Sequence, residues 1–202
     1  MSRRQGARSS VCPMDIIRYR DLSSTPWRNG GGSTREVASF PIGADDFDWR
    51  VSIAEVSAAG DFSVFPGTDR ILTVIDGELL VLTVDGVEHA MEKNRPFRFS
   101  GDSATSCVLP VGSTTALNVM ARRGTVKAYL SIVELSKTRA HPVFDDQFGL
   151  LLQGNAVVTA DSADGAASEK LGTLDTVRGS DPAPEVLGRG FLAVVTLEPE
   201  PA

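Results

Sequence analysis

The stretch ILTVIDGELLVLTVDGVEHAM, Ile71 to Met91, sets two Asp-Gly pairs between runs of aliphatic and β-branched residues. Asp-Gly between apolar runs is a strong short-range signal for a hairpin, because both central residues of a type I′ turn need positive φ. The stretch therefore predicts a three-strand meander over 71–75, 79–84 and 87–90, turning at Asp76-Gly77 and at Asp85-Gly86. Working outward, DWRVSIAEV at 48–56 alternates in side-chain character and is rich in β-formers. Residues 96–99, 106–109, 115–121 and 126–135 read as further strands. Strands recurring roughly every 8–12 residues with Gly, Pro and Asp between them point to a sandwich or small barrel.

The second half is less regular. Residues 149–159, 170–177 and 191–197 read as strands, 161–168 as a polar loop, and 179–184 as a break. A single helical turn is expected at 145–148, after Pro142. No solenoid period is visible. The pattern amounts to an all-β chain of two packed units, with a seam near Gly124 or Ser136.

Bulk properties narrow the function classes. With 202 residues and 42% hydrophobic content, the chain can build one core or two small ones and does not read as a membrane protein. A net charge of −6 argues against a general nucleic-acid binder, which is usually basic. No apolar run approaches the roughly 18 residues that a spanning helix needs. Of the two cysteines, Cys12 lies in a polar leading segment and Cys107 in an apolar strand, so a reducing compartment fits better than a disulfide framework. The leading MSRRQGARSSVCP is basic but has no apolar core, so it is not a secretory signal. Residues 1–13 are expected to be a disordered tail, with structure beginning at Met14 and the protein in the cytoplasm.

PWRNGGGSTREV, Pro26 to Val37, poses a separate question. A phosphate loop needs Gly-Lys-Ser/Thr after an apolar strand, and a dinucleotide fingerprint needs G-x-G-x-x-G opening a helix. Neither is present, and bulky Trp27 with charged flanks does not suit a flexible linker. Two readings remain: a tight turn before a strand, or a turn whose bare backbone lets a ligand or another strand come close.

Metal and nucleophile chemistry lack raw material. The chain has two histidines, His89 and His141, far apart and in no H-x-H or H-x-x-x-H pair. No G-x-S-x-G elbow occurs. No metal and no cofactor are expected. What remains is arginine and small polar residues on strand faces. Residues two apart in a strand share a face. Thr34 pairs in this sense with Glu36, Arg50 with Ser52 and Ala54, and Asn118 with Met120 and Arg122. The opposite faces carry Trp49, Val51, Ile53, Leu117 and Val119. Either the polar face is solvated, or it lines a pocket with a few placed polar groups. Because an arginine fork can hold both carboxylate oxygens, a pocket holding Arg50 or Arg122 would favour a small organic acid. FSVFPGTDR at 62–70 is either a packed loop with Phe62 and Phe65 buried, or the mouth of a barrel with Arg70 at it.

Three segments, PWRNGGGSTREVA, WRVSIAEVSAAGDFSVFPGTDRILTVIDGELLVL and FSGDSATSCVLPVGSTTALNVMARRG, resemble the HutD/Ves family in that order, over roughly Tyr19 to Gly124. The resemblance implies a bicupin: two stacked cupin-like β-barrel or jelly-roll units. Residues 14–124 would form the N-terminal unit with a ligand pocket, and 125–202 the second. It also implies a metal-free regulatory protein that binds an intermediate of histidine breakdown, with urocanate and N-formylglutamate as candidates. The matching polar positions are Asn29, Thr34, Glu36, Arg50, Ser52, Arg70, Asn118 and Arg122, with Trp27 and Trp49 as structural walls. Gly31 would lie in the turn entering the pocket barrel, its backbone amide able to donate to an anion as in a nest. One departure is Ala116, where the family carries an acid two positions before the Asn of the third motif.

Three function classes follow. The first is a non-catalytic binder or sensor of a small organic acid. The second is a metal-independent isomerase or lyase with Glu36 as base, since burial can raise a carboxylate pKa. The third is a β scaffold for protein contacts. The partners expected are a small organic acid and, if the chain associates, a second copy in a homodimer; neither nucleic acid nor membrane is expected.

Overall fold

The computed structural model of the protein describes residues 14–162 and 165–201; the expected tail at 1–13 lies outside them. In chain order the strands are β1 (Ile16–Ile17), β2 (Ser24–Pro26), β3 (Gly32–Phe40), β4 (Trp49–Val56), β5 (Gly60–Asp61), β6 (Thr68–Asp76), β7 (Leu79–Val84), β8 (Val87–Glu92) and β9 (Phe97–Ser100). There follow β10 (Thr105–Val108), β11 (Thr114–Arg122), β12 (Val126–Leu135), β13 (His141–Pro142), β14 (Gln147–Ser162), β15 (Gly165–Leu171), β16 (Thr176–Arg178) and β17 (Glu185–Pro199). One short 3-10 turn, Tyr19–Asp21, accompanies them. Among the described residues no helix is long and apolar enough to cross a membrane.

The strands form three sheets. A six-stranded sheet runs β2-β3-β4-β11-β6-β9, and a four-stranded sheet runs β5-β10-β7-β8. A seven-stranded sheet runs β1-β16-β14-β17-β12, with β13 on β17 and β15 on β14. The alternation of β4 and β11 decides how they stack. Val51, Ile53, Leu117 and Val119 leave one face of the six-stranded sheet and pack on Phe148, Leu150, Ala193 and Val195 of the seven-stranded sheet. On the other face, Val56, Val74 and Ala116 meet Leu80, Leu82, Met91 and Cys107 of the four-stranded sheet. The six-stranded sheet is thus the middle layer. The chain first touches the seven-stranded sheet through β1 on β16, then crosses to β2 on the six-stranded sheet.

The structure corrects the sequence reading at several points. Asp85-Gly86 makes the expected hairpin, with φ of 49° and 83° and β7 paired to β8. Asp76-Gly77 does not, because β6 and β7 belong to different sheets. Gly77 has φ of 93°, and a Cβ there would stand 2.8 Å from the Thr114 methyl. The glycine lets the chain cross between layers against the start of β11. The stretch 161–168 is not a loop: β14 and β15 pair through Asp161↔Ala166 and Ala160↔Ala167, while residues 163 and 164 lie outside the described ones. The described side chains of β15 are exposed up to Leu171, so no apolar alternation marked it. The expected strand 170–177 is broken by a turn in which the Asp175 amide donates to the Gly172 carbonyl at 3.0 Å. The expected helical turn at 145–148 is a plain turn leading into β14.

Candidate functional site

Register on the middle sheet builds the site. Arg50 of β4 stands opposite Met120 of β11, which stands opposite Arg70 of β6. One step along, Ser52 faces Asn118, which faces Leu72. β3 contributes Thr34 opposite Ala54 and Glu36 opposite Ser52. Because side chains alternate, these residues point away from the Val51–Leu117 core and toward one cavity of about 630 Å³. Segments 25–29 and 61–65 close its outer side. There Trp27 Nε1 donates to Thr34 Oγ1 at 2.8 Å, and the Trp27 ring meets Phe62 edge-on at 5.8 Å.

The two arginines are held by rings rather than carboxylates. Arg70 is 5% exposed. Its Nη1 donates to the Ser63 carbonyl at 3.2 Å, and its Nε has no hydrogen-bond partner among the described residues. Its guanidinium lies 4.9 Å from the Phe99 ring centre and 5.5 Å from that of Phe65. Arg50 lies 4.5 Å from Phe47 and 5.1 Å from Phe65, and its Nε is likewise unpartnered. Among the described residues neither arginine has a carboxylate within ion-pair distance. Burial, and then repulsion from Arg50, push the Arg70 guanidinium down to about 10. Burial lowers Arg50 as well, while the charges of Glu36 and Asp45 oppose that shift. Asn118, 7% exposed, has an Oδ1 with no partner among the described residues. Buried polar atoms are almost always bonded, and an uncompensated buried charge is costly. Ring contacts offset only part of that cost, about 0.5–2 kcal/mol each. The floor is therefore two anion-seeking donors beside one free acceptor.

Of the sequence-derived residues, Asn29, Thr34, Glu36, Arg50, Ser52, Arg70 and Asn118 line this cavity. Arg122 does not: it pairs with Asp46 and Asp48 and donates to the Phe47 carbonyl at 2.9 Å. Its face was read correctly, but it sits past the end of the cavity at the strand terminus. Gly31 is also off the cavity, and its amide donates to Asn29 Oδ1 at 3.0 Å. The Gly30 amide donates to the Trp27 carbonyl at 3.0 Å. These two amides are committed inside the turn, so the nest reading fails. The close approach belongs to Gly32, where a Cβ would stand 2.3 Å from the Glu55 carbonyl oxygen and 3.1 Å from the Trp27 ring. The triple glycine lets a strand and Trp27 come close. Glu36 accepts from the Ser39 hydroxyl at 2.7 Å and lies on the exposed rim of the cavity, open to solvent. Ala116 is fully buried in the core against the four-stranded sheet and does not line the cavity.

Sequence reasoning missed the aromatic clamp. Phe47 and Phe65 hold Arg50, and their only sequence signal is their place in loops beside Asp45 and Arg70. Among the described residues no group of three or more His, Cys, Asp or Glu side chains could hold a metal ion. Cys107 is 3% exposed and burial raises its thiol pKa, as suits an inert core residue.

Stacked antiparallel sheets with a ligand-sized cavity on the N-terminal ones define a cupin-type protein. The chain belongs to the HutD family, whose model matches residues 19–194. It is similar to HutD from Pseudomonas fluorescens SBW25, solved in a formate condition, with TM-score 0.77 and 30% identity over 94% of this chain and 100% of that one. A conserved protein of unknown function from Pseudomonas aeruginosa PAO1 matches with TM-score 0.76 and 27% identity, again over 94% and 100%. Protein Ves of Citrobacter koseri is 38% identical over 127 residues, 60% of this chain and 66% of Ves. An oxalate decarboxylase from Lactobacillus farciminis shares the fold at TM-score 0.65 and 11% identity, covering 96% of this chain and 88% of that one.

Proposed function

We propose that this protein binds a small organic acid in a regulatory rather than catalytic role, and that the acid is an intermediate of histidine breakdown such as urocanate or N-formylglutamate. The observation that carries the reading is Arg70: a buried guanidinium at the floor of a ligand-sized cavity, with a free Nε and no carboxylate partner among the described residues. A bound carboxylate would supply acceptor oxygens beyond the single Ser63 carbonyl that Arg70 meets. Arg50 and Asn118 add a second donor and an acceptor within the same face. The enzyme reading is weaker, because its base, Glu36, stands on the rim beside solvent. The cytoplasm is the compartment in which such a metabolite sensor would work.

Thermal unfolding with urocanate, N-formylglutamate, histidine and glutamate tests this. A ligand present at a hundred times its dissociation constant adds about 2.7 kcal/mol. At about 2–4 °C per kcal/mol for a chain of this size, the midpoint should rise by roughly 5–10 °C. The expected result is a selective rise with one acid that Arg50→Ala diminishes. Unchanged midpoints with all four would remove the proposal.

A further inference from the structure

The two long strands of the seven-stranded sheet, β14 and β17, change faces part-way along. Their register shifts between Leu151 and Gln153, and just beyond it Gly154 pairs with Gly190, at φ of 102° and 112°. A Cβ on Gly190 would stand 1.8 Å from the Gln153 carbonyl oxygen, so the bulge needs a glycine there. Before the bulge Leu150 and Leu152 face the core shared with the six-stranded sheet. Past it Ala156 and Val158 face the other core, and Val157 turns outward. Val157 stands opposite Leu187 of β17 on one side and Lys170 of β15 on the other. Beyond β17 the Ser136 carbonyl accepts from the Gly188 amide at 3.1 Å and brings Lys137 alongside. These residues line a cavity of about 680 Å³ that shares no residue with the one on the middle sheet. Within it Val157 and Leu187 are 36% and 37% exposed.

The charge of this cavity is one-sided although the chain carries a net −6. Among the described residues no carboxylate lines it, and neither lysine makes an ion pair or a side-chain hydrogen bond. Glu169, next to Lys170 in sequence, points to the opposite face, where Arg18 holds it. Further along β17 the same face carries Glu185 and Arg189, whose charges offset each other. Across β15, β14, β17 and the Ser136 segment, three strand spacings put about 14 Å between the two lysine backbones. We propose that this cavity is a second ligand site, for an elongated dianion with an apolar middle, whose two ends seat on Lys137 and Lys170 and whose chain lies over Val157 and Leu187. A charge-assisted hydrogen bond of about 2.8 Å at each end leaves roughly 8 Å between the anionic oxygens, the span of a straight dicarboxylate of about six to eight carbons. The exposed aliphatic pair gives the methylene chain a surface to leave water on. The proposal is independent of the acid bound on the middle sheet.

Calorimetric titration with octanedioate, butanedioate and octanoate tests the site. Octanedioate reaches both lysines, butanedioate is too short to do so, and octanoate has the chain but one charge. Octanedioate should bind about fivefold tighter than either, the worth of one exposed charge pair. Its binding should weaken as salt is raised, because exposed pairs are screened. In the double variant Lys137→Gln, Lys170→Gln, the preference for octanedioate over octanoate should fall toward unity. Both lysines are exposed, so the change leaves the core packing in place, and an unchanged unfolding midpoint verifies that. No binding of octanedioate, octanoate binding as tightly, or a preference undiminished in the double variant would each overturn the assignment. A doubled molecular mass in solution that the double variant returns to that of a single chain would also overturn it, since the face would then be covered by a second copy.

Discussion

The two faces of the middle sheet are one residue apart and serve opposite ends. Val51, Ile53, Leu117 and Val119 are at most 1% exposed and weld the six-stranded sheet to the seven-stranded one. Their immediate neighbours Arg50, Ser52, Asn118 and Met120 look into the cavity. The difference shows that burial alone does not mark a site, since Ser52 and Met120 are as buried as the core. What sets it apart is that the unpartnered Nε atoms of Arg50 and Arg70 and the unpartnered Oδ1 of Asn118 share one cavity. Arg70 and Arg122 make the same point within one functional group. Arg122 has two aspartates and a carbonyl around it; Arg70 has rings and a single carbonyl.

If the faces are independent, damage to one should not be read out on the other. Leu117→Ala removes a fully buried side chain from the packed face and should cost about 3 kcal/mol, within the usual 2–5 for such truncations. The unfolding midpoint should fall by roughly 6–12 °C, with a much smaller change in ligand affinity. An affinity loss as large as the stability loss would break the distinction between the faces.

A smaller effect is expected where the entering segment is pinned to the seven-stranded sheet. Asp175 accepts from the Tyr19 amide at 3.0 Å, the Gly172 amide at 3.0 Å and Arg18 Nη1 at 2.9 Å. Burial alone would raise its pKa; the Arg18 hydrogen bond and the two amides together hold it below the ordinary value. Asp175→Asn should cost about 2 kcal/mol at neutral pH, the range for hydrogen bonds to a charged group. Because the folded-state pKa is depressed, this contribution is complete above the unfolded value of about 4 and disappears as pH falls through the lower folded value. The gap between the unaltered protein and the variant should therefore close in acid. A gap that stays constant from pH 7 to pH 3 would mean that the charge of Asp175 contributes nothing.

Much of this arrangement was legible in the primary structure, for physical reasons that can be named. Residues 126–135 form a strand over that whole range because β-branched and aliphatic residues dominate it. The cavity face was readable because a period of two puts Arg50 with Ser52, and Asn118 with Met120, whatever the tertiary fold. What a period cannot convey is which strands become neighbours. The Asp76-Gly77 pair carries a hairpin signature, yet the chain changes sheets there, because Gly77 tolerates the approach of Thr114. The fate of Arg122 depended on Asp46, distant in sequence and close only after folding. β15 exposes its described side chains before Leu171 and so left no alternation to read. Gly31 and Gly32 are identical as residues, and only the contacts of the folded chain separate the committed amide from the close approach.

The most direct measurement compares the two arginines. Urocanate is titrated calorimetrically into Arg70→Met and into Arg122→Met, alongside the unaltered protein. Arg122→Met should bind as the unaltered protein does, since its guanidinium lies off the cavity and serves ion pairs with exposed Asp46 and half-buried Asp48, surface pairs worth about 1 kcal/mol or less. Arg70→Met should lose affinity by about a hundredfold, or about 2.7 kcal/mol, within the 2–5 that truncating a buried charge partner costs. Its ligand-free stability should hold or rise, because the variant removes an unneutralised buried charge. Undiminished binding by Arg70→Met would contradict the claim that this buried, unpaired guanidinium is what holds the acid.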